Sequence, residues 1–352
     1  MKYLLIKGTY HIVRQSPDAD SVKFRAADFR LWSQIDTDNR AIFDRKLAED
    51  GGVVTLRLQG IDALETHYSA PPLPVPADVL GKTGIGMSAP KPTEYSQLID
   101  FGRHATNVLL GLLGASEVRW GAFGKTAFVA EARMGTSAGA PLVTEKFKDT
   151  LPGYIVTGDV ELNGRPLAWV FAGETALADG AAITNAVLAE LLSESLNYKM
   201  LALGMVYPYY FMSLAGILRK KLDAAVTQAR KTAQRKLRTP PSSLWRIDQT
   251  LSGIDVQDMG TLVREKALYP YLFRRIIKLE YRQQMERYWL HLRNPQAAPP
   301  AAAVTLDNFF ADGNPYVYVT SDGDFLRLRD VLTISGTTLR MTKSPHELVF
   351  LS

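Results

Sequence analysis

Acidic residues that follow predicted strands are the clearest chemical signal in this chain. Asp20 comes after the first predicted strand, and Asp62 and Glu65 lie just beyond the third. Carboxylate oxygens of this kind suit a hard cation such as Ca²⁺ or Mg²⁺. The chain has no cysteine, and its histidines do not fall at ligand spacing, which argues against zinc. The pattern therefore predicts a divalent cation held by oxygen ligands.

Two arginines complement these acids. Arg57 precedes Asp62 by five residues in the third predicted strand, and Arg165 follows Gly164 at the start of a later strand. A guanidinium group matches phosphate oxygens bidentately and stabilises the extra charge of a five-coordinate phosphorus. By residue type alone, phosphate chemistry and ordinary solvated turn residues both remain open.

The elements that must position these side chains are predicted from periodicity and turn residues. Alternating and β-branched residues predict paired strands over 3–13 and 21–30 and a third strand over 53–59, which ends at Gly60. Segments 31–52 and 69–92 are predicted as long connections. Further strands are predicted over 117–123, 154–162, 166–171, 316–320, 325–328 and 332–341, and helices over 95–113, 181–196, 212–238 and, interrupted at Pro270, 256–293.

Three short runs resemble the motifs of a known family. They are Asp18-Ala-Asp-Ser-Val-Lys-Phe24, Leu56-Arg-Leu-Gln-Gly-Ile-Asp-Ala-Leu-Glu-Thr66 and Asn163-Gly-Arg-Pro-Leu-Ala-Trp169. In this order they are similar to the D-G-D-T, R-L-x-x-[IV]-D-[TA]-P-E and G-R-x-[LV]-A patterns of the staphylococcal nuclease (thermonuclease) family, and the middle run is the most specific. The resemblance covers about residues 3–245, with large insertions at 31–52, 69–94 and 124–153.

The resemblance implies an α+β fold, with an OB-type five-stranded β-barrel and packed helices, a fold widely used to hold nucleic acid. It also suggests how the chain is divided. We expect a nuclease-like domain over residues 1–248, a helical extension and linker over 249–303, and a small β-rich C-terminal module over 304–352.

The activity that the resemblance implies is metal-dependent hydrolysis of phosphodiester bonds in DNA or RNA, by in-line attack of water with departure of the 5′ oxygen. Asp20, Asp62 and the main-chain carbonyl of Ala63 would bind Ca²⁺, with Mg²⁺ or Mn²⁺ as substitutes. The remaining roles are a water-activating Glu65, phosphate-gripping Arg57 and Arg165, substrate contacts at Tyr207 and Asn163, and Asp18 behind the metal ligands.

The chain departs from the family pattern at several positions. Ala19, Ser21 and Leu64 replace a glycine, a threonine and a proline without removing a functional atom. Asn163 and Met205 stand where the family prototype has tyrosines that meet the substrate, so those two tyrosine contacts do not carry over.

A second hypothesis is a non-catalytic scaffold of the same fold that binds nucleic acid or protein. Because the chain retains Asp20, Arg57, Asp62, Glu65 and Arg165, the nuclease is favoured over the scaffold. A third is that residues 246–352 direct the nuclease to a protein partner.

The formal net charge of +5 is compatible with a nucleic-acid partner. The most apolar stretch, 200–218, is interrupted by Gly204 and Pro208, so we expect no membrane partner. The lack of cysteine fits a reducing compartment, and we expect a cytoplasmic location.

Overall fold

A computed structural model of the chain describes residues 3–83, 89–123, 126–135, 137, 139–235, 243–257, 259–294, 296 and 304–351. The chain forms two compact units. The first comprises Met1–Ala63, Asp100–Arg246 and Leu348–Ser352, and the second comprises Leu64–Ile99 and Ile247–Glu347. Residues 64–99 and 348–352 thus group differently from the expected division at residue 248. Independent folding of residues 1–248 stays a prediction.

The strands, in chain order, are β1 (Tyr3–His11), β2 (Ser21–Ala26), β3 (Val53–Leu58), β4 (Ile61–Asp62), β5 (Tyr68–Ser69), β6 (Glu94–Tyr95), β7 (Ala115–Phe123), β8 (Thr126–Met134), β9 (Leu142–Val143), β10 (Leu151–Val160), β11 (Pro166–Ala172), β12 (Ala182–Ile183), β13 (Tyr207–Pro208), β14 (Tyr210–Phe211), β15 (Ile254–Asp255), β16 (Tyr316–Val319), β17 (Asp324–Arg327), β18 (Leu332–Ser335), β19 (Thr338–Met341) and β20 (Leu348–Phe350).

The α-helices are α1 (Arg40–Glu49), α2 (Ala77–Thr83), α3 (Ile99–Leu113), α4 (Asn185–Leu191), α5 (Leu196–Ala202), α6 (Gly216–Arg235), α7 (Met259–Glu265) and α8 (Pro270–Arg293). Short 3-10 helices occur at Phe29–Gln34, Leu192–Glu194, Leu244–Arg246, Leu328–Val331 and Pro345–Glu347. Among the residues described, no helix is both long and apolar enough to cross a membrane.

The first unit is built on a closed five-stranded barrel. Its strands follow the order β10-β11-β3-β2-β1, and pairing of β1 with β10 closes the sheet. The neighbours are antiparallel except β11 and β3, which run parallel. The expected combination of an α+β fold and a barrel is confirmed.

Alternation along the barrel strands decides which side chains face solvent. In β2, Val22 and Phe24 are buried, whereas Lys23 is half-buried and Arg25 is exposed. In β3, Leu56 is buried and Arg57 is half-buried. Successive side chains of a strand point to opposite faces of the sheet. The strands therefore bury an apolar core and place cationic side chains on the outer face.

Three connections contain structure that the sequence pattern did not predict, and one of them, the expected long loop over 69–92, includes helix α2. Segment 31–52 includes helix α1, which buries Phe43 against the ring of Trp32, with the ring centroids 5.4 Å apart. A single buried residue leaves little helical periodicity to detect in the sequence. The insertion at 124–153 contributes strand β8, which pairs with β7 as an antiparallel hairpin.

Helices in the first unit pack through apolar stripes. In α6, the buried Leu218, Leu222, Ala225, Val226 and Ala229 recur at helical spacing. The expected helix over 212–238 is thus present as Gly216–Arg235, and residues 236–242 lie outside the described part of the chain.

The second unit contains the interrupted helical segment that was expected over 256–293. Helix α8 begins with Pro270 in its first turn, where a proline leaves no hydrogen bond unmade. Strand β19 pairs with both β18 and β15, so these C-terminal strands join a strand that precedes α7. Of the expected linker, residues 295 and 297–303 lie outside the described residues. A separate C-terminal module stays a prediction.

Candidate active site

The first acidic residue of the candidate site is positioned by a tight turn before β2. The Ser21 N–H donates to the Asp18 carbonyl oxygen over 3.1 Å, and the Leu58 N–H donates to the Asp20 carbonyl oxygen over 2.9 Å. These bonds fix Asp20 beside the end of β3. Asp20 is only 9% exposed, so its carboxylate needs partners inside the protein.

A glycine turn then brings Asp62 back towards β3. Gly60 has a φ of +81°, which L side chains rarely adopt, and an added Cβ would lie 3.1 Å from the Leu222 Cδ1. After this turn, β4 pairs with β13, with Asp62 opposite Tyr207. The glycine at the end of the third predicted strand therefore has a positional role in the site.

Arg57 joins the two carboxylates. Its Nη2 donates to the Asp62 Oδ1 over 2.6 Å, and its Nη1 forms a close ion pair with the Asp20 Oδ2. The Ala63 N–H donates to the same Asp20 oxygen over 2.8 Å. The structure thus brings together four of the expected residues, Asp20, Arg57, Asp62 and Ala63, although the Ala63 contact is made by its N–H group.

The electrostatics of Asp20 follow from this arrangement. Burial raises the pKa of Asp20, but the charge of Arg57, the Ala63 N–H and the charge of Arg165 together hold the pKa below its ordinary value. Asp20 is therefore ionised at neutral pH. Counted formally, two carboxylates around one guanidinium give these three side chains a charge of −1.

Arg165 is placed by a second glycine turn, between β10 and β11. Gly164 has a φ of +73°, and an added Cβ would lie 2.8 Å from the Ile42 Cγ2. The Arg165 Nε pairs closely with Glu161, and its side chain is one-third exposed. Its charge is one of the causes that lower the pKa of Asp20.

The other expected substrate and support residues lie in different environments. Asn163 is exposed in the turn before Arg165. Tyr207 is fully buried, with its ring 5.3 Å from the Trp245 ring, and Met205 is also buried. Asp18 is half-buried in the turn that positions Asp20. Substrate contacts of Asn163 and Tyr207 stay predictions.

Glu65 belongs to the second compact unit. Its Oε1 accepts a hydrogen bond from the Arg274 Nη1 over 2.5 Å, and both side chains are about four-fifths buried, with exposures of 20% and 23%. Near this pair, burial raises the pKa of Tyr68 to about 12, while the charge of Arg274 opposes that rise. Nothing in the sequence points to Arg274, because it belongs to no motif and lies 209 residues from Glu65.

The donor set suits a hard cation in its chemistry. Asp20 and Asp62 supply carboxylate oxygens in a site of net negative charge, which fits Ca²⁺, Mg²⁺ or Mn²⁺. Across the part of the chain that the structure describes, three or more acidic or histidine side chains do not gather in a metal-binding group. The two carboxylates would have to be completed by main-chain oxygens, water or substrate.

Comparison with known proteins leaves the family open: the chain matches no protein-family model and no curated protein sequence.

Proposed function

We propose that this chain is a metal-dependent nuclease that hydrolyses phosphodiester bonds of DNA or RNA. The observation that carries the proposal is the Asp20–Arg57–Asp62 cluster at the ends of adjacent barrel strands, with Arg57 between the two carboxylates. Residues from two of the three sequence motifs meet there: Asp20 from the first, and Arg57 and Asp62 from the second.

The topology of the barrel supports the finer fold proposal. Numbered within the barrel, the strands follow the order 1-2-3-5-4-1, with a parallel pairing between the third and the fifth. We infer an OB-type barrel of the staphylococcal nuclease kind, and helices α4, α5 and α6 pack in the same unit. Barrels of this type commonly bind single-stranded nucleic acid or oligosaccharide.

In the proposed mechanism, the arginines bind the scissile phosphate. Arg57 and Arg165 donate hydrogen bonds to its non-bridging oxygens, and these bonds strengthen as negative charge builds on phosphorus. Asp20 and Asp62 would hold Ca²⁺, or Mg²⁺ or Mn²⁺ in its place, which when bound supplies Lewis acidity and orients the attacking water. The resemblance implies that Glu65 would accept the proton of the attacking water as its oxygen bonds to phosphorus and the bond from phosphorus to the 5′ oxygen breaks, with a proton for the leaving oxygen coming from solvent.

Substrate binding requires Arg57 to share its donors. A guanidinium has five N–H groups, and two of its nitrogens already contact Asp20 and Asp62. We infer that a phosphodiester would exchange with one of these carboxylate contacts, while the positive charge of Arg165, whose side chain is 32% exposed, attracts it. The carboxylates also keep Arg57 in one orientation, which reduces the entropy lost on binding.

A specific observation favours the second candidate function, a catalytically inactive scaffold of the same fold. Each proposed catalytic group has an ion-pair partner within the chain: Arg57 with Asp20 and Asp62, Arg165 with Glu161, and Glu65 with Arg274. Such pairing is what a structural role would also produce. Under this alternative the chain binds nucleic acid or protein without cleaving a bond.

A cleavage assay separates the two. Purified full-length chain is incubated with labelled single- and double-stranded DNA and RNA in Ca²⁺, Mg²⁺, Mn²⁺ or EDTA, beside Arg165→Ala and a matched control, Arg45→Ala, in the exposed face of α1. The nuclease proposal expects metal-dependent cleavage that Arg165→Ala slows by about 100-fold and Arg45→Ala preserves. Binding without cleavage in every metal identifies the scaffold, and cleavage retained by Arg165→Ala overturns the assigned site.

A further inference from the structure

A basic and aromatic surface lies on the outer face of the barrel, beyond the Asp20–Arg57–Asp62 cluster. We call it the Phe147 surface and define it by Lys23, Arg25, Lys146 and Phe147. All four residues belong to the first compact unit. Arg25 and Lys146 are exposed, and Lys23 and Phe147 are half-buried.

The surface is continuous with the proposed site through the register of the barrel. Ser21 lies opposite Arg57, and Lys23 lies opposite Thr55, so the outward side chains of β2 start beside Arg57. Two residues along a strand span about 6.6 Å. Lys23 and Arg25 therefore continue, along the same face of β2, from the position opposite Arg57, and a polyanionic chain bound to them would lead towards the cluster.

The ring of Phe147 lies at the end of the row formed by Lys23 and Arg25 and contacts two cations, Arg25 and Lys146. The Arg25 guanidinium carbon lies 5.5 Å from the centre of the Phe147 ring, and the Lys146 Nζ lies 4.7 Å from it. Aromatic rings interleaved with cations bind single-stranded nucleic acid, because bases stack on rings or guanidinium planes while cations contact phosphates.

The Phe147 backbone is held in an unusual conformation. Its φ is +62°, in the left-handed region that residues other than glycine rarely occupy. Such conformations persist only where the surroundings impose them, and they concentrate at functional sites. The position of Phe147 is therefore specified by the structure around it.

A buried acid two residues further along the chain anchors the segment that contains Phe147. Asp149 is fully buried, and its carboxylate accepts hydrogen bonds from the N–H groups of Ile12, closely, and of Val13, over 2.8 Å. Its other oxygen lies 3.2 Å from the His11 Nδ1, and the His11 ring meets the edge of Phe147 with centroids 5.4 Å apart. The segment that carries Lys146 and Phe147 is thus anchored to the end of β1.

The charge of the surface favours an anion, although two acids lie nearby. Lys23 forms a close ion pair with Asp50, and Glu145 is exposed beside Lys146. The Lys23 and Asp50 side chains are 21% and 46% exposed. Water therefore screens the pair in part, and a polyanion would have to compete with Asp50 for Lys23. Asp149 is engaged with His11 and the backbone.

We propose that the Phe147 surface binds single-stranded nucleic acid and guides it to the cluster around Arg57. The proposal rests on the proposed function for the identity of the reacting phosphate, but not for binding itself. The strand would run along the outer face of β2, with phosphates against Lys23 and Arg25 and a base against Phe147 or the Arg25 guanidinium plane.

The test uses the full-length chain in EDTA, which stops cleavage so that binding alone is measured. A fluorescein-labelled oligothymidylate of about twelve nucleotides, within the usual site sizes of such barrels, is titrated by fluorescence anisotropy. The variants are Arg25→Ala and Phe147→Gly, because glycine tolerates the positive φ and removes only the ring. Arg45→Ala is the charge-matched control, and thermal midpoints establish that all variants are folded.

The two variants should fail in different ways. Removing one phosphate contact should reduce the slope of log affinity against log salt by about 0.7 for a single strand, so Arg25→Ala should weaken binding and flatten its salt dependence. Phe147→Gly loses a stacking contact, so it should weaken binding by about tenfold and leave the slope of log affinity against log salt unchanged. Arg45→Ala should bind as wild type does.

Three outcomes overturn the proposal. They are no binding by wild type, binding by both variants as tight as that of wild type, and tighter binding of duplex than of the single strand. The cleavage assay is read separately. If wild type never cleaves but Arg25→Ala and Phe147→Gly lose binding as described, the Phe147 surface stands and the nuclease proposal fails. If wild type cleaves and both variants bind as tightly as wild type, the nuclease proposal stands and the proposed role of the Phe147 surface fails.

Discussion

The Arg57 Nη2 donates to the Asp62 Oδ1 over 2.6 Å, and the Asp62 side chain is only 1% exposed. This contact distinguishes Arg57 from Arg165, which is one-third exposed and pairs with Glu161 at the protein surface. An arginine that neutralises buried carboxylates contributes to folding as well as to any phosphate binding, because an uncompensated buried charge is costly.

Arg57→Ala is therefore expected to lower both stability and turnover, whereas Arg165→Ala should lower turnover alone. Breaking a buried ion pair costs about 3 kcal/mol or more in the free energy of unfolding, while loss of a transition-state contact lowers turnover by about 100-fold. Urea denaturation and single-turnover cleavage measure the two effects. Equal stability of the two variants would contradict the role assigned to Arg57 in the fold.

Asp62→Asn is expected to abolish binding of Ca²⁺, because it removes one of the two carboxylates that the cation would share. Isothermal titration of Ca²⁺ into wild type and variant measures this. Asp44→Asn, in the exposed face of α1, is the control for loss of one negative charge. Wild-type affinity in Asp62→Asn would remove Asp62 from the metal site.

The stability contributed by Asp20 is expected to fall in acid. Because the folded-state pKa of Asp20 lies below its ordinary value of 3.8, its stabilising contribution is complete above that value and is lost as the pH drops through the folded-state pKa. The difference in unfolding free energy between wild type and Asp20→Asn should thus shrink from pH 7 towards pH 2. A constant difference would show that ionisation of Asp20 does not stabilise the fold.

Glu65 and Arg274 are expected to be energetically coupled. A double-mutant cycle with Glu65→Gln and Arg274→Met should give a coupling of about 1 kcal/mol, at the upper end for a partly exposed ion pair. The free energies come from urea denaturation of the four proteins. A coupling near zero would mean that the 2.5 Å contact contributes nothing to stability.

A fragment that ends at Asp248 is expected to be less stable than the full chain. It lacks β20, whose residues Leu348, Val349 and Phe350 are buried and which pairs with β14 in the first unit. Exposing or losing such side chains costs about 1.5–3 kcal/mol each. Deletion of residues 348–352 alone should reproduce much of the loss in thermal midpoint. A fragment as stable as the full chain would show that β20 is dispensable.

The sequence by itself determined the elements whose cause is local. Alternating and β-branched residues identified β1, β2 and β3, and helical signals identified α6 and a helical stretch interrupted at Pro270, where the structure begins α8. Gly60 and Gly164 stood out in the sequence next to candidate site residues, and both have the positive φ angles that glycine adopts most readily. Asp20, Arg57 and Asp62 were found in the same way, from short motifs at strand ends.

Only the tertiary structure decided the pairings between residues far apart in the chain. Arg274 contacts Glu65 across 209 positions, Asp149 anchors the end of β1 across 136 to 138, and β20 pairs with β14. Periodicity reports how one segment divides its side chains between core and solvent, but it carries no information about which charged group will face another. The partners of Glu65 and Asp149, and the row of cations leading to Phe147, therefore emerged only once the strands were placed in register.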